Sequence, residues 1–193
     1  MDNDLKKVPL EVSARHVHLS QKDQDALFGE GYVMNVKKEL SQTGQWAAED
    51  KVTLKASKRD MALRVLGPCR KQTQIELSRT DCIKSGIEPA LRLSGDIAGT
   101  PGCTLVGPAG EVVLEEGVIV ARRHIHISDK EAEERGLVDG DIVSVKIGGD
   151  RGLTFHEVNI RVRDSFRLNV HLDTDEGNAA WLDVVGNEGE IIK

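Results

Sequence analysis

The strongest constraint on this chain is a block that it uses twice. Near the amino end it reads Ala14-Arg15-His16-Val17-His18-Leu19-Ser20, and it returns as Ala121-Arg122-Arg123-His124-Ile125-His126-Ile127-Ser128. In each copy two histidines flank one β-branched residue, and a serine follows two positions after the second. A strand sends alternate side chains to opposite faces, so it puts both imidazoles on one side and the aliphatic residues on the other. A helix would splay the rings apart. A single His-x-His pair in a strand is ordinarily a half-exposed polar face. Two pairs in matched settings have one simple use, which is to clamp metal ions.

The resemblance between the copies runs past the histidines. Ser20-Gln21-Lys22-Asp23 and Ser128-Asp129-Lys130-Glu131 both have the form of a helix start, with a serine cap and an acidic residue three positions on. Short helices are predicted over Asp23–Phe28 and Glu131–Arg135, stopped by Gly29 and Gly136. Strand, His-x-His and capped helix thus form one unit used twice, as internal duplication would leave it.

Elsewhere the pattern is of short alternating segments. Val8–Ser13 reads as a strand leading into the first histidine pair, and Gly31–Val36 and Lys51–Leu54 read as two more around a polar loop at Ser41–Gln45. Trp46 closes that loop, either as a core or rim residue or as a platform for a nucleotide base. Met61–Leu66 alternates and is expected to break at Gly67-Pro68. In the segment that follows, Ile75 and Leu77 face a core, which turns Gln74, Glu76 and Ser78 to the other side. A hairpin is expected around Pro108-Ala109-Gly110, and a glycine-aspartate turn precedes a strand at Ile142–Val145. His171 lies on an alternating strand and is a plausible third ligand; His156 reads as solvent-facing and takes no role. The acidic run after His171 lacks the spacing of a calcium loop. Long amphipathic helices and phosphate loops of the GxGxxG or GxxxxGKS kind are absent, which argues against a doubly wound fold. The expected fold is mainly β: two small β-barrels with short helices, internally duplicated.

Composition narrows the function. The formal charge is −6 and aromatic residues make up 3%, without a basic run, so no nucleic-acid partner is expected. An anionic ligand must instead be held by local arginines. Cys69, Cys82 and Cys103 have no Cys-x-x-Cys spacing and suggest neither a disulfide framework nor a zinc ribbon. Met1–Lys7 has no apolar signal core, and no run approaches membrane-spanning length. A cytoplasmic protein with no membrane partner is the expectation.

Four blocks, V-S-A-R-H-V-H-L-S, L-G-P-C-R-K-Q-T-Q-I-E-L-S-R-T-D, A-R-R-H-I-H-I-S and N-V-H-L-D-T-D-E-G-N-A, together resemble the PduL-type phosphate propanoyltransferases, also called phosphotransacylases. The similarity runs from about Val8 to the carboxyl end. It implies two zinc ions at the interface of two barrels, one held by His16, His18 and Glu76 and the other by His124, His126 and His171. It implies that Arg70 binds phosphate and acts in catalysis, and that Val12, Ser13, Ala14, Arg64 and Asn178 touch coenzyme A. The domains it implies interleave, with 1–14 joining 123–193 and 15–122 between them. A homo-oligomer, taken as a dimer, goes with it. Spacing by itself does not separate Glu76 from its acidic neighbours, or Arg70 from Arg64. Members housed in microcompartments carry an amphipathic extension before the first strand, whereas about seven residues precede Val8 here, too few for a targeting helix.

The implied reaction joins a short-chain acyl-CoA, propanoyl- or acetyl-CoA, to phosphate, giving acyl phosphate and CoA. Direct attack by phosphate is the expected route, because no Ser-His or Cys-His dyad stands out; a Cys69 acyl-enzyme is the lesser variant. Two readings from other classes use the same histidines: a zinc-dependent hydrolase, and a non-catalytic scaffold in which metal staples two barrels.

Overall fold

The computed structural model describes residues 3–182 and 187–193. Met1 and Asp2, part of the amino-terminal stretch judged for a signal core, lie outside the described residues. From the amino end the elements are α1 (Asn3–Lys6), β1 (Lys7–Ser13), β2 (His16–Ser20), α2 (Gln21–Phe28), β3 (Val36–Glu39), β4 (Trp46–Lys55), β5 (Met61–Arg70) and β6 (Gln74–Glu76). Next come α3 (Arg79–Ser85), β7 (Leu91–Arg92), β8 (Cys103–Val106), β9 (Glu111–Leu114) and β10 (Val118–Ala121). The rest holds β11 (His124–Ile127), α4 (Asp129–Arg135), β12 (Ile142–Ile147), β13 (Leu153–Val162), β14 (Asn169–Asp173), α5 (Thr174–Ala179) and β15 (Asn187–Ile192). The fold is mainly β, and the chain divides into two compact units.

The first unit is Met1–Ser13, Ser41–Thr43 and Arg122–Lys193. Its strands close a barrel in the order β1-β14-β11-β13-β12-β15. The first strand of the chain is therefore inserted between two late ones, parallel to β14 (Leu10↔Val170) and antiparallel to β15 (Lys7↔Glu190). Val8, Leu10, Ile125, Ile127, Val170 and Leu172 fill its core.

The second unit is Ala14–Leu40 and Gly44–Ala121. Its sheet runs β7-β10-β6-β2-β5-β4-β8-β9, with β3 paired to β4, and curls into a half-barrel around Val17, Leu19, Leu54, Leu63, Ile75 and Leu105. In both units the aliphatic partners of the His-x-His motif are fully buried, Val17 and Ile125 each at 0% exposure. Period two then turns the imidazoles away from each unit's own core.

The helices start as their caps dictate. Ser20 accepts a hydrogen bond from the Asp23 amide, and Ser128 with Glu131 forms a reciprocal capping box. Helix α3 was not expected, though Ser78-Arg79-Thr80-Asp81 and Gly86 carry the same start and stop signals; Ser78 caps it and Gly86 ends it in the left-handed region.

Two strand assignments change. The strand expected at Gly31–Val36 begins only at Val36: Gly29 and Gly31 adopt positive φ, Glu30 and Gly31 form a turn, and residues 32–35 are irregular. Strand β5 does not stop at Gly67-Pro68 but continues to Arg70. Its parallel register with β2 shifts there, between the pairs His18↔Leu66 and Ser20↔Arg70, and proline's missing donor is tolerated at such an irregularity. Gly67 is required on another ground: a Cβ there would lie 2.0 Å from Cζ2 of Trp46. Trp46 packs over that glycine against the second unit's core, which makes it a structural residue.

Candidate functional site

Each unit brings three candidate ligands together by the same register. In the second unit β2 pairs antiparallel with β6, setting His16 opposite Glu76; in the first, β11 pairs antiparallel with β14, setting His124 opposite His171. The second histidine of each motif, His18 or His126, completes the cluster from two residues on. In both clusters a ligand atom from each of the three residues lies within 4.8 Å of the others.

The first histidine of each pair is oriented identically. Nδ1 of His16 lies 2.9 Å from the Ala14 carbonyl, and Nδ1 of His124 lies 2.8 Å from the Arg122 carbonyl. A carbonyl can only accept, so Nδ1 carries the proton and Nε2 presents its lone pair. In the second histidines, Nδ1 of His18 and both nitrogens of His126 are buried with no hydrogen-bond partner. Buried polar atoms are rarely left so, and ring nitrogens aimed into a cluster of donors are what a metal would satisfy. A set of two imidazoles and a carboxylate, and a set of three imidazoles, both suit zinc with an open fourth position. The residues fit the ion.

Burial keeps His18 and His126 neutral. Burial pushes His18 well below the usual histidine range, helped by the charges of His16 and Arg70. Burial also drives His126 far down, with His171, His124, Arg161 and Arg163 adding to it. His126 further stacks on Phe166, with ring centroids 3.9 Å apart. Only a neutral imidazole ligates, so ligation need not first expel a proton.

The surroundings of the third ligand differ. Oε1 of Glu76 accepts from Gln74 Nε2 at 2.7 Å and from Ser94 Oγ at 2.9 Å, while Oε2 lies 3.6 Å from His16 Nε2. Arg70 Nη1 donates to Ser94 Oγ at 3.2 Å, which brings Arg70 beside this cluster. His171 has Glu11 opposite it across β1 and β14, with its Nδ1 3.9 Å from Oε2 of that carboxylate and its Nε2 3.5 Å from Gln42 Nε2. Ser41 also donates to Glu11, and Gln42 donates to the Arg167 carbonyl at 3.0 Å. Ser94, Glu11 and Gln42 carry no sequence signal for the site, whereas Gln74 is placed by its strand pattern on the face of Glu76. The first three reach their places through pairings that spacing does not reveal.

A sequence model of the family described as phosphate propanoyltransferase matches residues 9–183. A phosphate propanoyltransferase of Thermotoga maritima is 52% identical over 94% of this chain and 85% of its own length. One of Lachnoclostridium phytofermentans is 49% identical over 91% and 83%, and one of Clostridioides difficile 45% identical over 96% and 89%. The chain belongs to the phosphate propanoyltransferase family. It is an enzyme, a transferase of the phosphotransacylase type.

In this family member the remaining predicted site residues fall in three places. Val12 and Ser13 end β1, and Val12 packs on α5: a Cβ on Gly177 would lie 2.7 Å from Val12 Cγ2. Exposed Asn178 is the next residue of that helix. Ala14 is exposed and lends its carbonyl to His16. Arg64 sits on β5 opposite His16 and donates to the Ala48 carbonyl at 2.5 Å. Cys69 is a poor nucleophile: burial and Asp25 push its thiol up, and its Sγ donates to Gln24 Oε1 at 3.1 Å. All three cysteines are free thiols. The exposed imidazole of His156 lies 2.8 Å from Ser144 Oγ through Nδ1, and the His156 carbonyl accepts from Arg123 Nη1 at 2.9 Å. No helix among the described residues is long and apolar enough to cross a membrane.

Proposed function

We propose that this transferase interconverts a short-chain acyl-CoA plus phosphate with acyl phosphate plus CoA, by direct phosphate attack, using two zinc ions per chain. The observation that carries the proposal is the pair of three-ligand clusters built on one register plan, with Arg70 beside the cluster that contains Glu76. His16, His18 and Glu76 would hold one ion, and His124, His126 and His171 the other. Zinc in such sites supplies a Lewis acid that draws charge from an oxygen.

Arg70 binds phosphate. Its planar fork gives two parallel charge-assisted hydrogen bonds, and the acidic chain offers no general field to hold a dianion. A phosphate oxygen attacks the thioester carbon, the C–O bond forms, the C–S bond breaks, and CoA leaves as thiolate to take up a proton from water. The raised Cys69 thiol supports this route over an acyl-enzyme. Val12, Ser13, Ala14, Arg64 and Asn178 bind CoA; the neighbourhood of Val12, Gly177 and Asn178 supports part of that set. A homodimer, and the cytoplasmic location expected from the sequence, belong to the same proposal, to be checked by light scattering and by imaging a tagged chain.

The test is CoA release from acetyl-, propanoyl- and butanoyl-CoA with and without phosphate, on protein whose zinc has been counted. Release that needs phosphate, with two zinc ions per chain, is the expected result. Release into water alone identifies a hydrolase. Four-ligand, saturated zinc with no turnover identifies a scaffold.

A further inference from the structure

Ser94 lies in the loop after β7, far in sequence from the groups it touches. Its hydroxyl has one proton to give and two lone pairs. Gln74 Nε2, at 2.8 Å, and Arg70 Nη1, at 3.2 Å, can only donate, so they take the lone pairs. The proton therefore goes to Glu76 Oε1, at 2.9 Å. All the hydroxyl's capacity is used by three groups, two of which, Glu76 and Arg70, have separate tasks in the reaction proposed above.

The neighbours fix the arrangement further. Gln74, 2% exposed, accepts from the Gly95 amide through Oε1 at 2.7 Å, which fixes which end of its amide faces Ser94 and Glu76. Gln74 and Ser94 both donate to Oε1 of Glu76, which leaves Oε2 as the oxygen turned to His16. Any rotation of the Ser94 hydroxyl gives up one of three bonds.

We infer that Ser94 is a positioning residue that holds metal ligand Glu76 and phosphate ligand Arg70 in fixed mutual geometry, so that zinc and phosphate binding at this cluster depend on one hydroxyl. This rests on the reading of Arg70 and Glu76 given above. Partners that orient a ligand are worth about 10–100-fold in metal affinity. The His124–His126–His171 cluster does not use Ser94, so its ion is an internal reference.

The experiment compares Ser94→Ala, Ser94→Thr and Ser94→Val. Thr and Val are close in size, so the hydroxyl is tested even if Ala disturbs the loop. Zinc retention is followed against a graded chelator, and KM is measured separately for phosphate and propanoyl-CoA. With Ala or Val, one of the two ions is expected to leave about tenfold more readily. The phosphate KM rises about tenfold and the acyl-CoA KM stays within about twofold, as for loss of one positioned contact. Thr restores most of both, and exposed Asp96→Asn changes neither. Unchanged zinc retention and phosphate KM in Ala and Val overturn the inference, as does equal weakening of both ions or failure of Thr to restore. Wild-type protein with no zinc, or with phosphate-independent release, instead sinks the reading on which it rests.

Discussion

The two clusters repeat one backbone plan and then part at the third ligand. His16 and His124 have the same carbonyl behind Nδ1 and the same antiparallel partner strand ahead. Opposite them stand a carboxylate in one case and an imidazole in the other. With a divalent ion, the Glu76 set carries one positive charge less than the three-histidine set. Around Glu76 gather donors, namely Gln74, Ser94 and Arg70. Around His171 gather Glu11, Gln42 and Asn169, whose Nδ2 donates to Glu11 at 3.4 Å. Duplication preserved what strand register dictates, and divergence fell on positions that only tertiary pairing brings in.

Removing a ligand from either cluster is the most severe way to break the comparison. His18→Ala and His126→Ala should each lose one zinc of two, by elemental analysis. Activity should fall about a thousandfold in both, the equivalent of about 4 kcal/mol of transition-state stabilisation. If only one cluster is catalytic, one variant will retain near-normal turnover.

Arg70 sharpens the difference, since its hydrogen bond to Ser94 brings it beside the Glu76 cluster. Arg70→Ala should keep both ions and lose activity about a hundredfold, with weakened phosphate dependence. Arg70→Lys should recover little, and Lys71→Ala should be nearly silent. Steady-state kinetics within a few-fold of wild type for Arg70→Ala would remove its role.

Acid should test both clusters together. Burial depresses His18 and His126 in the folded chain, while their unfolded pKa stays at the ordinary 6.5. Below that value the unfolded chain takes protons that the folded chain refuses, so stability falls as pH drops. The slope is about 1.4 kcal/mol per pH unit for each histidine kept neutral. Asp173 and Glu176 are raised instead, chiefly by burial; their contribution has the opposite sign, and grows as pH falls through the carboxylate range. Urea titrations of metal-free protein at pH 7.5 and about 5.5 should show the histidine loss. A flat profile would mean that the rings charge without unfolding.

The smallest contrast is in the caps. Ser128→Ala breaks a reciprocal capping box and should cost about 1 kcal/mol. Ser20 sits in a different circuit: its amide donates to Thr73 Oγ1 at 2.8 Å, and Thr73 donates to Asp23 Oδ2 at 2.5 Å. Ser20→Ala leaves that bridge standing and should cost somewhat less. Chemical denaturation of the two variants side by side gives the order.

Much of this was legible because the governing signals are local. Val17 and Ile125 mark the faces of their strands, and Ser20 and Ser128 mark the helix starts. Helix α3 carries a readable start in Ser78 and Asp81 and a readable stop in Gly86. Pro68 has the look of a strand end yet lies inside β5, since a proline's meaning depends on whether its neighbour strand needs the missing donor. The third ligands differ in kind: His171 sits opposite His124 only through a pairing that spans 47 positions. Ser94 meets Arg70 and Glu76 through a loop whose course no periodicity records. Family resemblance supplied Glu76 and Arg70 where residue patterns alone left choices open.

The insertion of β1 between β14 and β15 sets a timetable for birth on the ribosome. The strand leaves the exit tunnel long before its partners, which are Val170 and Glu190. At about 5–20 residues per second, it waits roughly 10–35 s for them. During that wait Val8, Leu10 and Val12 alternate along a strand with both edges unpaired, a template for association with neighbouring nascent chains. Lys6, Lys7 and Glu11 place charge along that segment, where it discourages such pairing. Crowded synthesis, rather than the finished barrel, is where this architecture is most exposed to aggregation.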